Sequence, residues 1–294
     1  MSEASIDSME QSAGSAPRGK IYNRDALTYS ETFDSAAKRK TIKAIEWVTG
    51  KISILRMIRE FERRPAVPIE KFWAACLDVM RIDIQTPQTQ LENIPAEGPV
   101  VIVANHPHGM VDGMVLAELI GRRRQDYKIL TRSLLTGIDL EAANYLIPVP
   151  FPHEEDAQEK FLTMRKSAMT QLSAGGVVAL FPSGSVAASD TMFGPSVEAE
   201  WNVFTAKMIR MSGAKVVPFF FKGANSRAYQ IANQISATLR QGLLLHEIVK
   251  SCGKPQAPVI GAVLDDAEIA KRIGNPRDFM AWLRDQTLSL GNRR

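Results

Sequence analysis

The stretch Asn105-His106-Pro107-His108-Gly109-Met110-Val111-Asp112 follows Pro99-Val100-Val101-Ile102-Val103-Ala104, and the reading of these residues decides the fold. The apolar run is short, β-branched and opened by proline, which reads as a buried strand. The polar octapeptide then stands at the mouth of a sheet, where sites form in α/β folds. Only four histidines occur in the chain, at 106, 108, 153 and 246, and two of them share this turn with Asp112 within reach. A histidine held by a carboxylate is the minimal general base, because the carboxylate fixes the tautomer and supports the imidazolium after proton capture. An isolated histidine near a helix start is ordinarily a capping or packing residue, so this turn has to be weighed with the stretches that accompany it.

Outward from the turn, periodicity predicts helices over 69–80, 113–122, 157–173, 197–212, 228–248 and 275–289. Strands are predicted at 81–85, 127–131, 147–150, 177–181, 215–221 and 259–264, with a loop over 86–98. Strands alternating with helices imply an α/β fold with a largely parallel or mixed sheet flanked by helices.

The 294 residues are 45% hydrophobic and 23% charged, an ordinary globular balance that can bury a core without staples. Cys76 and Cys252 make neither a disulfide framework nor a metal-ligand spacing, so burial in a reducing compartment is expected and no metal is implied. Residues 1–20 are rich in Ser, Ala, Gly and acid and lack the apolar core of a signal peptide. A disordered tail over 1–30 is expected. No run of eighteen apolar residues exists, so no segment is expected to span a bilayer alone.

Residues 38–64 carry nine basic and three acidic residues, a net of +6, whereas the whole chain carries +4; the remainder therefore sums to −2. Within this window Ile45, Val48, Ile52, Leu55 and Ile58 recur at steps of three and four, widened by Trp47, Ile54, Met57 and Phe61. A basic amphipathic helical segment over 31–66 is expected, with Gly50 a candidate break. Such a helix fits an anionic membrane interface, or packs on the core with a solvated basic face. No aromatic-interleaved groove supports nucleic acid as a partner. The remaining residues, 67–294, form the α/β domain.

Three stretches fall into one order: Asn105-His106 to Asp112, then Phe181-Pro182-Ser183-Gly184-Ser185, then Val216-Val217-Pro218-Phe219-Phe220-Phe221-Lys222-Gly223-Ala224-Asn225-Ser226-Arg227. Together they resemble the glycerolipid (lysophospholipid) acyltransferase superfamily, whose members show a His-to-Asp motif, a Phe-Pro-x-Gly turn and a Val-Pro strand. The similarity covers residues 69–264. It implies transfer of a fatty acyl group from an acyl thioester, acyl-CoA or acyl carrier protein, with no further cofactor. His106 is then the general base and Asp112 its orienter, with Asn105, His108, Gly109, Arg132, Phe181, Pro182, Ser183, Gly184 and Ser185 around the substrates. Backbone N–H groups near Gly109 or Gly184 would hold the developing oxyanion. The unpaired cysteines and the basic amphipathic window lead to the expectation of a cytoplasmic protein lying peripherally on the inner face of the cytoplasmic membrane.

Two departures narrow the acceptor. Five residues separate His106 from Asp112 where the commonest motif has four, which looks like the hemolysin-like branch that includes amino-acid N-acyltransferases. The usual turn carries Glu and Thr where this chain has Ser183 and Ser185, and family members use that region for a glycerol phosphate. An acceptor amine or hydroxyl lacking a glycerol phosphate is therefore expected. O-acylation of a lysophospholipid or 1-acylglycerol-3-phosphate is the alternative, and an inactive membrane-binding relative is another. A serine hydrolase using Ser185 with His106 would lack the Gly-x-Ser-x-Gly elbow. His108 is the rival base, Arg132 and Arg165 are expected mainly to pair at the surface, and Asp112→Asn is expected to cost less than His106→Ala.

Overall fold

The computed structural model describes residues 27–30, 35–132, 142–151, 154 and 156–292. The tail expected over 1–30 falls outside them as far as residue 26. Its last residues are not a tail, because Leu27, Thr28 and Ser30 are buried. Glu46, fully buried, accepts from the Thr28 hydroxyl at 2.6 Å and from the Tyr29 N–H at 2.7 Å, and burial pushes its carboxyl pKa upward.

The basic window forms helices α1 (Ala36–Glu46) and α2 (Ile52–Arg63) joined by a π-helical turn, Trp47–Lys51. Gly50 is thus not a break. It is buried where the helix crosses the start of a later helix, and a Cβ there would stand 2.7 Å from the backbone C and O of Leu245. The wider π turn accompanies this approach, and the Thr49 carbonyl lies 3.2 Å from His246 Nδ1. Gly→Ala ordinarily stabilises a helix. Here Gly50→Ala is expected to destabilise by about 1–3 kcal/mol through overpacking, read as a lowered Tm in thermal unfolding.

Helix α3 (Phe72–Val79) follows a 3-10 turn over Ile69–Lys71. The strand expected at 81–85 is absent: Arg81 takes a φ of 54°, and the segment makes a single parallel bridge between Ile84 and Gln256. The central part then runs β1 (Val100–Ala104), α4 (Met110–Gly121), β2 (Tyr127–Arg132), β3 (Leu146–Val149), α5 (Ala157–Ser173) and β4 (Val177–Leu180). After a short hairpin, β5 (Ala188–Ser189) with β6 (Ser196–Val197), come α6 (Phe204–Ser212) and β7 (Lys215–Phe220). Three helices succeed it, α7 (Arg227–Ile235), α8 (Ala237–Gly242) and α9 (Leu244–Ser251), then β8 (Val259–Ile260), α10 (Asp266–Arg272) and α11 (Pro276–Ser289).

The single helix expected over 228–248 is broken because Ser236 is extended, at φ −164°, and its hydroxyl accepts from the Thr238 N–H to start α8. The helix expected from 197 begins only at Phe204, since Ser196 and Val197 are drawn into the hairpin. Helix α10 was not expected. Asp265 caps it by accepting from the Ala267 N–H at 2.7 Å.

Six strands make one sheet in the order β3-β2-β4-β1-β7-β8, parallel throughout except for the β7–β8 pair. Strand β1 is flanked by β4 and β7, with Ile102 opposite Ala179 and Val217. Its five residues are all buried. Val100, Ile102 and Ala104 join α4 and α3 on one face of the sheet. Val101 and Val103 join α5, α6 and α11 on the other. Helices on both faces explain why this strand reads as a continuous apolar run rather than an alternating one.

Candidate active site

The three motif stretches meet because β4, β1 and β7 are adjacent and parallel, so the residues after each emerge at the same edge. Asn105 ties two of these ends together: its Nδ2 donates to the Phe221 carbonyl at 2.9 Å and its Oδ1 accepts from the Phe221 N–H at 2.7 Å. Expected at the substrate, Asn105 is instead buried as a clamp between β1 and β7.

From that clamp the chain turns through His106 to Gly109, whose φ of 84° favours glycine, and enters α4. Asp112, three residues into the helix motif, has no solvent exposure. Its carboxylate accepts from the backbone N–H groups of His108 at 2.7 Å and Gly109 at 3.1 Å. The same carboxylate meets both rings, with His106 Nδ1 3.1 Å from Oδ2 and His108 Nδ1 2.9 Å from Oδ1. Burial alone would raise the Asp112 pKa, but the hydrogen bonds from His106 and His108 outweigh it and hold the carboxyl below its usual range. For His108 burial opposes the charge, and the Asp112 hydrogen bond and charge overcome it, leaving the imidazole pKa above its ordinary value.

With an oxygen of Asp112 at each Nδ1, the two rings lie in different surroundings. His108 Nε2 faces Gly223, where a Cβ would lie only 2.7 Å away; that glycine, at φ 117°, makes room for the ring. His106 stacks on Phe181 with centroids 3.9 Å apart and lines a cavity of about 900 Å³, whereas His108 does not line it. The walls are mainly apolar, including Met57 of α2, Trp73 of α3 and Met110 of α4.

Gly109, Phe181, Pro182, Ser183, Gly184, Ser185 and Arg132, the residues expected around the substrates, line the same cavity. The N–H groups of Gly109 and Gly184 are already engaged, with Asp112 and with the Phe181 carbonyl, so neither glycine supplies a free oxyanion donor. The Ser183 hydroxyl donates to the Ser185 carbonyl at 3.0 Å, which holds the turn. Arg132 does not pair at the surface. Its guanidinium donates to the carbonyls of Gly184 at 3.0 Å and Pro150 at 3.4 Å, and lies 4.9 Å over the Phe151 ring. Burial pulls its pKa down against the opposing charge of Glu154, and among the described residues no carboxylate lies within ion-pair distance of it. Arg165 likewise has no such partner and lies 5.6 Å over the Phe204 ring.

Glu198 was not anticipated. Buried, it accepts from the His106 N–H and from Trp201 Nε1, each at 3.0 Å, and so fixes the backbone of His106. No spacing in the sequence marked it, because it acts through a backbone group 92 residues away. Among the described residues, no group of three or more His, Cys, Asp or Glu has the geometry to hold a metal ion, and no helix is long and apolar enough to cross a membrane.

Two lyso-glycine lipid O-acyltransferases, from Phocaeicola vulgatus and Bacteroides thetaiotaomicron, are 27% and 28% identical over 55% and 56% of this chain. The matched residues make up 55% and 58% of those relatives, so the chain spans little more than half their length. The solved 1-acyl-sn-glycerophosphate (LPA) acyltransferase PlsC from Thermotoga maritima is 15% identical, covering 74% of this chain and 75% of that one, with a TM-score of 0.46. The family described as Acyltransferase matches residues 29–291, nearly the whole sequence. The chain therefore belongs to the acyltransferase family, within the glycerolipid acyltransferase superfamily that its motifs resemble.

Proposed function

We propose that the protein transfers a fatty acyl group from an acyl-CoA or acyl carrier protein thioester to the hydroxyl of a lyso-aminolipid, with His106 as general base. The observation that carries this reading is His106 itself: its Nδ1 is held by buried Asp112, and its ring opens into a largely apolar cavity of a size that suits an acyl chain. Nε2 takes the acceptor's hydroxyl proton as the oxygen attacks the thioester carbonyl. The new C–O bond forms, the C–S bond breaks, and the imidazolium returns its proton to the departing thiolate. The carbonyl oxygen's developing charge lies near the N-terminus of α4, the positive end of that helix.

Both curated relatives are named for O-acylation of a lyso-glycine lipid, which favours a hydroxyl over an amine and suits the hemolysin-like branch. Arg132 complements that acceptor: a desolvated guanidinium on the cavity wall, with Glu154 acting on it from beyond ion-pair distance, suits a head-group carboxylate. Arg132→Gln is expected to raise KM for the acceptor roughly tenfold with a smaller effect on kcat. Steady-state kinetics at saturating donor checks it, and an unchanged KM would remove Arg132 from the acceptor site. The class of acceptor is tested by mass spectrometry of products formed from a lyso-glycine lipid and from lysophosphatidate. Acylation of lysophosphatidate alone would replace this reading with a glycerol-phosphate acceptor.

The protein works at an anionic membrane surface, on the inner face of the cytoplasmic membrane. Ile54 of α2 is buried and Leu55, Met57 and Ile58 pack on the core, so much of the amphipathic stripe serves the fold. At the π turn, Val48 and Trp47 remain 88% and 52% exposed, with Ile52 beside them and Lys40, Lys43 and Arg56 in solvent nearby. That arrangement suits an interface where each Lys or Arg adds about 1 kcal/mol. Sedimentation with anionic vesicles should show roughly tenfold weaker binding for Trp47→Ser/Val48→Ser. Added salt should weaken the parent's binding as well. Equal binding to neutral and anionic vesicles at all salt concentrations would exclude the electrostatic contribution.

A further inference from the structure

Arg165, Asn202 and Phe204 line the reaction cavity, and the same three residues line a second hollow of about 250 Å³. Lys207, Arg210, Val203, Ala206 and Ile273 also line this second hollow. Lys207 and Arg210 are three apart on α6 and so share one face of that helix. Arg165 reaches the same place from α5, its guanidinium stacked over Phe204. Among the described residues, none of these three cations forms an ion pair or a hydrogen bond, unlike Lys215, Lys271 and Arg272, which are all paired with carboxylates. Three cations left without anions around one hollow, next to the place where a thioester must react, match the charge of a phosphorylated arm.

We propose that this hollow binds the phosphate of the acyl donor's phosphopantetheine arm. Arg165, Lys207 and Arg210 meet the phosphate, and the pantetheine arm passes Phe204 and Asn202 into the cavity with its thioester toward His106. Charge-assisted contacts, with the planar forks of the two arginines, suit phosphate oxygens. This donor site rests on the acyl-transfer reading above, and coenzyme A and acyl carrier protein share the phosphate it recognises.

Isothermal titration calorimetry with 4′-phosphopantetheine and pantetheine tests the site without relying on turnover. The parent protein should bind 4′-phosphopantetheine at least roughly tenfold more tightly than pantetheine. Lys207→Ser/Arg210→Ser, in exposed positions, should keep the parent's Tm and bind both compounds with the weaker affinity. Titrations with coenzyme A and with holo acyl carrier protein identify the carrier as the one whose affinity falls in the double variant. A parent that binds the two compounds equally, or a variant that still prefers the phosphorylated one, overturns the proposal. Discrimination by a parent that releases no thiol from acyl-CoA in the presence of acceptor would instead sink the reaction and leave the phosphate site standing.

Discussion

His106→Ala should lower kcat by about a thousandfold while the protein stays folded, because general-base catalysis contributes on that scale and the side chain adds little to the core. His106 sits at the cavity wall and its backbone N–H, held by Glu198, survives the substitution. His108→Ala should keep activity well above that of His106→Ala, since its ring faces Gly223 rather than the cavity. Single-turnover kinetics with a saturating thioester, alongside thermal unfolding, separates lost chemistry from lost structure. If purified, folded His106→Ala transferred acyl groups at the parent's rate while His108→Ala did not, the two roles would be exchanged.

Asp112→Asn should lose about as much activity as His106→Ala, rather than less as the motif alone suggested, and should also destabilise the protein. The carboxylate accepts from two backbone N–H groups and meets both imidazoles, so an amide nitrogen in its place faces donors. A buried polar mismatch of this kind costs about 1–3 kcal/mol, and the rings are released from the Nδ1–H tautomer. The pH dependence has a definite sign. The folded Asp112 pKa is depressed, so its contribution is present above the unfolded carboxyl pKa and is lost as pH falls through the folded one. The gap in Tm between parent and Asp112→Asn should therefore narrow in acid. His108 acts in the opposite direction: its raised pKa gives a contribution that is complete below the unfolded imidazole pKa and fades as pH rises through the folded one. The gap should be widest between these limits, and a gap constant across acid pH would argue that Asp112 is not ionised.

Strand β1 and its turn were legible because composition alone marks a strand buried on both faces, and the polar residues after it have to emerge at the sheet's edge. The meeting of the Phe181-Pro182 turn with His106 followed from the order of the motifs, although the stacking of the two rings did not. Spacing could not decide between His106 and His108. The choice depends on where α4 begins, and a start at Met110 rather than near Gly113 brings Asp112 into the first turn, where it meets both rings. Gly50 and Ser236 show the limit from the other side. A glycine that reads as a break was a close approach to Leu245, and an ordinary serine inside a helical pattern was the break. Both depend on contacts distant in sequence, as does Glu198, and local pattern carries no record of them.

Acceptor-dependent release of thiol tests the central claim most directly. Purified protein is given acyl-CoA or acyl carrier protein thioester with and without a lyso-glycine lipid, and free thiol is followed in the parent, His106→Ala and Ser185→Ala. Expected is release that requires the acceptor, matches acylated product one for one, vanishes in His106→Ala and persists in Ser185→Ala. Release that proceeds equally without acceptor and is lost in Ser185→Ala would mean a hydrolase, and no release under any condition would mean a binding protein without catalysis.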